Sequence, residues 1–349
     1  MNDDVLREIV SHADIRSVFR FCQVNKTLCH QHDDLFKQIY QRLYYQTGMD
    51  VFKKKSAETS WVQLIKQCYL LEQLRIKILY KYSIKELYTL QQLDLSHTRL
   101  SVLPPEMSQL INLHQLNLSH NQLSALPPEM GQLWALQYLN LSNNQLSALP
   151  PEMGQMRALQ KLDLSDNQLS ALPTEMGQLS HLQDLNLSNN QLSALTPEMS
   201  QLGSLHTLDL LNNQLSAFPP EMGQLRAIQY LSLSYNQLSA LPPEIGQMNH
   251  LLVLYLSNNQ LSALPPEIGQ LRALQYLSVS NNQLSVLPPE IGHLRDLHEL
   301  FLSHNQLSEL PQEIGQMRVL QELYLYKNKL SSTLKNKLKQ QLPNTEIYL

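Results

Sequence analysis

The sequence predicts an α/β solenoid with a parallel sheet lining its concave side, preceded by a small all-α domain. Two observations carry the solenoid. Asparagine recurs every 23 residues from Asn121 through Asn144 and Asn167 to Asn328. Each copy sits in one phrase, read most clearly as Leu136-x-x-Leu139-x-Leu141-x-x-Asn144-x-Leu146, then Leu149-Pro150-Pro151-Glu152-Met153-Gly154-Gln155. A third observation sets off the start of the chain. Before about residue 90 the phrase stops, and apolar residues fall at helical spacing instead.

Counting one degenerate copy with Thr98 in the asparagine slot, eleven units fill residues 90–330. A fixed period in this range, with leucines at these offsets, is the signature of a leucine-rich-repeat horseshoe. Within each unit the strand alternates, so Leu139 and Leu141 point inward while Tyr138 and Asn140 point out. Strands stacked about 4.8 Å apart give a concave face roughly 50 Å long. The asparagine turns the chain after the strand, because a short amide bonds turn backbone that leucine would leave unpaired. That column reads as structural.

The next segment, Leu-Pro-Pro-Glu, presets the backbone for a short helix, since proline fixes its own φ and lacks a donor that would go unused. The glutamate column from Glu106 to Glu313 then lies near the positive ends of these helices. Its regularity argues for a capped, solvated convex face rather than a cation site. Met153, Met156 and Leu159, with their equivalents, close the core from that side. An open solenoid end exposes leucines, so both ends need covers. At residues 331–349 Ser331-Ser332 can cap a basic helix from Thr333 to Gln341, and Pro343-Asn344 turns the chain into a last strand, Glu346 to Leu349.

Residues 1–89 are read as helical, with 1–48 a small domain and 49–89 a linker and N-terminal cap. Val5, Leu6, Ile9 and Val10 share one helical face, and Asp14 can cap a helix carrying Ile15, Val18, Phe19 and Cys22. Further helices hold Leu28 with Cys29, then Leu35, Phe36, Ile39 and Tyr40, and a longer one opens at Ser60-Trp61. Helices this short cannot bury all those apolar residues among themselves. Charge divides at the same boundary. Residues 1–82 carry 13 Lys+Arg against 9 Asp+Glu, and the remainder 13 against 21. An acidic solenoid argues against a nucleic-acid groove, because phosphate binding needs clustered positive charge. The three cysteines, Cys22, Cys29 and Cys68, all precede the repeats and suit a reducing, cytoplasmic compartment. Met1-Asn2-Asp3-Asp4 lacks the apolar core of a secretory signal, and no apolar run is long enough to span a membrane.

Variation on the concave face is informative, because residues flanking the inner leucines are free of the scaffold. Aromatics crowd the last five rungs: Tyr230, Tyr235, Tyr255, Tyr276, Phe301, Tyr324 and Tyr326. Tyrosine supplies contact energy at little entropic cost and concentrates in protein interfaces. A strip of Asp163, Asp166, Asp184 and Asp209 can steer a basic partner. Both features point to a protein bound on this face.

The first segment also carries a resemblance. The run from Asp4 through Ile9-Val10-Ser11, Asp14, Val18-Phe19-Arg20 and Val24, followed by Leu35-Phe36, resembles an F-box, with Met1-Asn2 in place of that family's usual Leu-Pro. The resemblance implies docking on a Skp-type adaptor through Leu6, Ile9, Val10, Val18, Val24, Leu35 and Phe36. In that family an F-box before leucine-rich repeats marks the substrate receptor of a cullin-type ubiquitin ligase. The 23-residue unit itself resembles repeats of Ras-pathway scaffolds and of many bacterial proteins. Near-identical copies joined to an F-box look like a bacterial effector delivered into the cytoplasm of a eukaryotic host.

Phosphate-cradling glycine loops, metal-ligand spacings and nucleophile elbows are not found in the sequence, so neither a cofactor nor a metal is expected. His97 and His120 share a column on adjacent rungs, a weak candidate for a metal pair. A non-catalytic binder is expected. The alternative to the ligase receptor is a scaffold or inhibitor of a signalling protein such as a small GTPase, its leading helices only capping the coil.

Overall fold

The computed structural model describes residues 84–349 together with Leu74 and Leu79. The expected adaptor-docking residues Leu6, Ile9, Val10, Val18, Val24, Leu35 and Phe36 lie outside the described residues. A short helix, α1 (Ile84–Thr89), leads into the coil. The strands follow at the spacing of the repeat: β1 (Gln92–Asp94), β2 (Gln115–Asn117), β3 (Tyr138–Asn140), β4 (Lys161–Asp163), β5 (Asp184–Asn186), β6 (Thr207–Asp209), β7 (Tyr230–Ser232), β8 (Val253–Tyr255), β9 (Tyr276–Ser278), β10 (Glu299–Phe301), β11 (Glu322–Tyr324) and β12 (Glu346–Tyr348). They form one twelve-stranded sheet in chain order, every pair parallel and in register, with Leu139 opposite Leu162 and Leu300 opposite Leu323. The architecture is an α/β solenoid.

The core is a continuous stack of leucines. In the unit around β3, Leu136, Leu139, Leu141 and Leu146 are fully buried, and Met153 and Met156 meet them from the opposite side. Each unit buries one copy of the same set, so stability accrues by nearest-neighbour stacking. Leu74, Leu79 and Leu87 join this cluster at its leading end. At the other end Leu338 and Leu342 are buried against it. Helix α2 (Ser332–Gln341) begins one residue before the expected Thr333, because the Ser331 hydroxyl accepts the Leu334 N–H at 3.3 Å.

The asparagine column does more than hold its own turn. Asn167 Nδ2 donates to Leu164 O at 3.1 Å and Ser165 O at 3.1 Å within its turn, and to Leu141 O of the preceding unit at 3.0 Å. Its Oδ1 accepts the Leu146 N–H, also of the preceding unit, at 3.0 Å. One buried amide therefore joins backbone groups of two rungs, and adjacent asparagines share the same carbonyls, Leu141 O taking Asn144 as well as Asn167. The residue before it is left-handed throughout, from Asn143 at φ 55° to Asn281 at φ 56°. Asparagine tolerates that region well; Tyr235 occupies it at φ 55° without that advantage.

The convex side departs from expectation in two ways. Its segments are five-residue 3-10 turns, such as Pro151–Gln155, opened by proline and without a side-chain cap. The glutamate column is also half-buried for most of its length rather than solvated. One carboxylate oxygen of Glu152 and of Glu198 is enclosed without a hydrogen-bond partner among the described residues. The cause is the close approach of successive turns. A Cβ on Gly177 would stand 2.3 Å from the Glu198 carbonyl oxygen, and one on Gly131 the same distance from that of Glu152. Glycine draws the turns together, and the glutamate stems are trapped between them.

Candidate protein-docking face

Each strand exposes two outward residues on the concave face, one on each side of its central leucine. Parallel in-register pairing stacks these into two columns, so a run of similar residues becomes a continuous surface. On β7 to β12 that surface is aromatic. Tyr230 meets Tyr255 with ring centroids 5.6 Å apart, Tyr255 meets Tyr276 at 4.8 Å, and Tyr276 meets Phe301 at 5.0 Å. Phe301 and Tyr324 then stack at 4.4 Å and 9°, and Tyr324 and Tyr348 at 4.2 Å and 6°. The row alternates between the two columns from Tyr230 to Phe301 and then follows one column to Tyr348. Six rings thus form one unbroken row.

Two hydroxyls of this row are held as well. Tyr324 donates to Glu322 Oε2 and Tyr348 to Glu346 Oε2, each at 2.7 Å. Both phenols are pushed above their ordinary value by those bonds, since a donated hydrogen bond to a carboxylate favours the protonated phenol. Tyr276 is pushed up to about 12, first by burial and then by the neighbouring Tyr255 and Glu299. Tyr230 is raised by burial and by the charge of Asp209.

The acidic strip lies beside the row. A groove of about 420 Å³ runs between Tyr138 and Tyr230, with Asp163, Asp184 and Asp209 and the single cation Lys161 along it. Lys161 pairs with Asp184 at 2.7 Å, and that bond raises the lysine. Asp163 Oδ1 accepts the Ser165 N–H at 3.0 Å and its hydroxyl at 2.7 Å. Asp209 Oδ1 accepts the Leu211 N–H at 2.9 Å. Asp94 makes the same turn bond with Ser96, which holds its carboxyl below the ordinary value. Asp163 and Asp209 therefore serve the turn with one oxygen, and the other has no partner among the described residues.

Not every expected residue joins the row. Tyr235 and Tyr326 are exposed on the turns that follow the strands, and Tyr326 meets His304 edge-on at 5.6 Å. Asp166 lies on the same turn column, in left-handed backbone. The row instead gains Tyr348, for which the sequence predicts only a place on a terminal strand. The step from Glu322 to Glu346 is 24 residues rather than 23, so counting by the repeat misplaces it. His97 and His120 stack face to face at 4.3 Å, and among the described residues no group of three or more metal-ligating side chains converges. No helix among the described residues is long and apolar enough to cross a membrane.

A parallel coil whose varied columns all face one hollow defines a repeat protein built for macromolecular recognition. The family models agree. Leucine rich repeat matches residues 88–146, 111–169, 157–215 and 180–238, and Leucine-rich repeat region matches 220–286 and 267–342. The chain belongs to the leucine-rich-repeat proteins, and residues 1–31 match the F-box domain. No curated protein sequence matches the chain significantly. Among solved structures it is similar to the leucine-rich-repeat protein LIC12759 of Leptospira interrogans, at 38% identity over 74% of this chain and 84% of that one, with a TM-score of 0.41. The internalin InlF of Listeria monocytogenes shares the fold at 20% identity, covering 80% and 87%, with a TM-score of 0.64. The Toll structure of the Drosophila Toll–Spätzle complex matches at 25% identity, covering 73% of this chain and 36% of that one, with a TM-score of 0.63.

Proposed function

We propose that this protein is a non-catalytic receptor in which residues 1–48 dock on a Skp-type adaptor of a cullin-type ubiquitin ligase and the concave face holds the protein to be modified. The F-box match within that segment supports the first half. The observation that carries the second is the unbroken row from Tyr230 to Tyr348. Half-buried aromatic rings in a continuous strip are what protein interfaces use as anchors. Toll, which shares the coil, was solved in complex with Spätzle. Residues 49–89 join the two parts, and the site of action is the eukaryotic cytoplasm where cullin ligases work.

Titration of the full chain against a purified Skp-type adaptor tests the docking half. Binding at micromolar concentration or tighter is expected, and Ile9→Asp with Val10→Asp abolishes it while the repeats keep their circular-dichroism signal. A wild-type chain that ignores the adaptor removes the ligase reading and leaves a scaffold. For the concave half, Tyr255→Ala, Tyr276→Ala and Phe301→Ala together are expected to release captured target without loss of adaptor binding. Target retained by that triple variant sinks the assignment.

A further inference from the structure

The concave face shows more than a place to bind. Its charge is arranged, and the arrangement specifies a ligand. Of the four charged side chains along the groove between Tyr138 and Tyr230, Lys161 and Asp184 neutralise each other. Asp163 and Asp209 remain, each with one oxygen occupied by its own turn and the second without a partner among the described residues. The groove is thus left with two uncompensated carboxylates beside the exposed side of Tyr230. Farther along, Glu299, Glu322 and Glu346 border the aromatic row on β10 to β12. Between these two acidic stations the surface is apolar, carried by Tyr255 and Tyr276.

We propose that the ligand of this face is an extended protein segment bearing lysine or arginine at two places, one seated between Asp163 and Asp209 and the other at Glu299 and Glu322, with apolar side chains between them on Tyr255 and Tyr276. The inference rests on the receptor reading above and names the chemistry of its target. The stack itself argues for this pattern. Phe301, Tyr324 and Tyr348 cover one another's faces, so the row offers ring edges and carboxylates rather than open platforms for a base or a sugar. A cation is drawn to the carboxylates, and the tilted rings of Tyr255 and Tyr276 accept aliphatic or aromatic side chains. Spacing follows from the sheet. The facing edges of the two stations, Asp209 on β6 and Glu299 on β10, are four rungs apart, about 19 Å at the usual strand separation. An extended chain crosses that distance in about six residues.

The test uses the full chain and a fluorescein-labelled synthetic peptide with two arginines separated by five apolar or small residues. Counterparts carry glutamine or glutamate at both arginine positions, or the same residues shuffled so that the arginines are adjacent. The spaced arginine peptide is expected to bind roughly tenfold or more tightly than the glutamine and shuffled peptides, with the glutamate peptide weakest. Asp163→Asn with Asp209→Asn keeps the turn-capping oxygens and is expected to weaken the arginine peptide about tenfold. Asp296→Asn with Glu309→Gln removes the same charge from exposed positions off the face and is expected to leave affinity unchanged. Equal binding of arginine and glutamine peptides, or equal loss from the two double variants, overturns the proposal. So does failure of the arginine peptide to bind. If the aspartate variants are silent while Tyr255→Ala with Tyr276→Ala still weakens the peptide, the face binds protein and only its basic preference is wrong. If neither set matters, the receptor reading of the face falls too.

Discussion

From β1 to β6 the outward columns of the sheet are mostly amides and carboxylates, with Tyr138 the one ring; from β7 to β12 six rings touch in sequence. The scaffold beneath does not change. Asn167 in the first half and Asn282 in the second make the same bonds to a carbonyl of the preceding unit, at 3.0 Å in both cases. Leu162 and Leu277 are equally buried. A repeat thus separates two tasks by position within the unit. Leucine, asparagine and glycine columns answer to packing and must recur, while the two outward columns answer only to a ligand and can differ along the coil.

The largest effects should come from the shared scaffold and fall equally on both halves. Asn167→Ala and Asn282→Ala each leave one buried N–H, that of Leu146 or Leu261, without its acceptor and take one of two donors from neighbouring carbonyls, which costs about 3 kcal/mol. Urea denaturation midpoints should drop by the same amount for both variants. A loss confined to one half would break the equivalence just drawn. Gly177→Ala forces a Cβ against the Glu198 carbonyl, an overpacking cost of about 2 kcal/mol. The seam is not absolute, because Ser108 and Ser200 stand in the glycine column, and next to Ser200 the column's Glu221 is exposed where its neighbours are half-buried. Thermal melts of Gly177→Ala should therefore be lowered but still cooperative.

Effects specific to one half are smaller. Alkaline pH should weaken the aromatic half through Tyr276. Its folded value of about 12 lies above the ordinary 10.0, so its contribution is complete below pH 10 and is lost as pH rises through 12. Tyr276→Phe should flatten the stability–pH slope in that window, followed by denaturant melts at each pH. Smallest of all, Lys161→Met removes an exposed ion pair in the polar half. It should change stability by less than about 1 kcal/mol, yet it leaves Asp184 uncompensated. Tighter binding of the spaced arginine peptide by this variant would sharpen the contrast between a half that steers and a half that anchors.

Much of this was legible in the chain. The 23-residue period specified parallel, in-register strands, because an identical unit finds its own copy as the best neighbour, and alternation about Leu139 and Leu141 specified which side chains face the hollow. The aromatic run from Tyr230 to Tyr324 could be read for the same reason, column by column. What local pattern could not supply was anything depending on distance between units. The half-burial of the glutamates follows from how closely glycine lets the 3-10 turns approach. The entry of Tyr348 into the row follows from a 24-residue step outside the repeat, and the departure of Tyr235 from it follows from a left-handed turn. The neutralisation of Asp184 by Lys161, one rung away, sets the charge of the groove. The sequence by itself determined the coil and its exposed columns, since these repeat with every unit. Only the tertiary structure decided which exposed groups touch, because contact between rungs depends on spacing and side-chain direction that no single unit encodes.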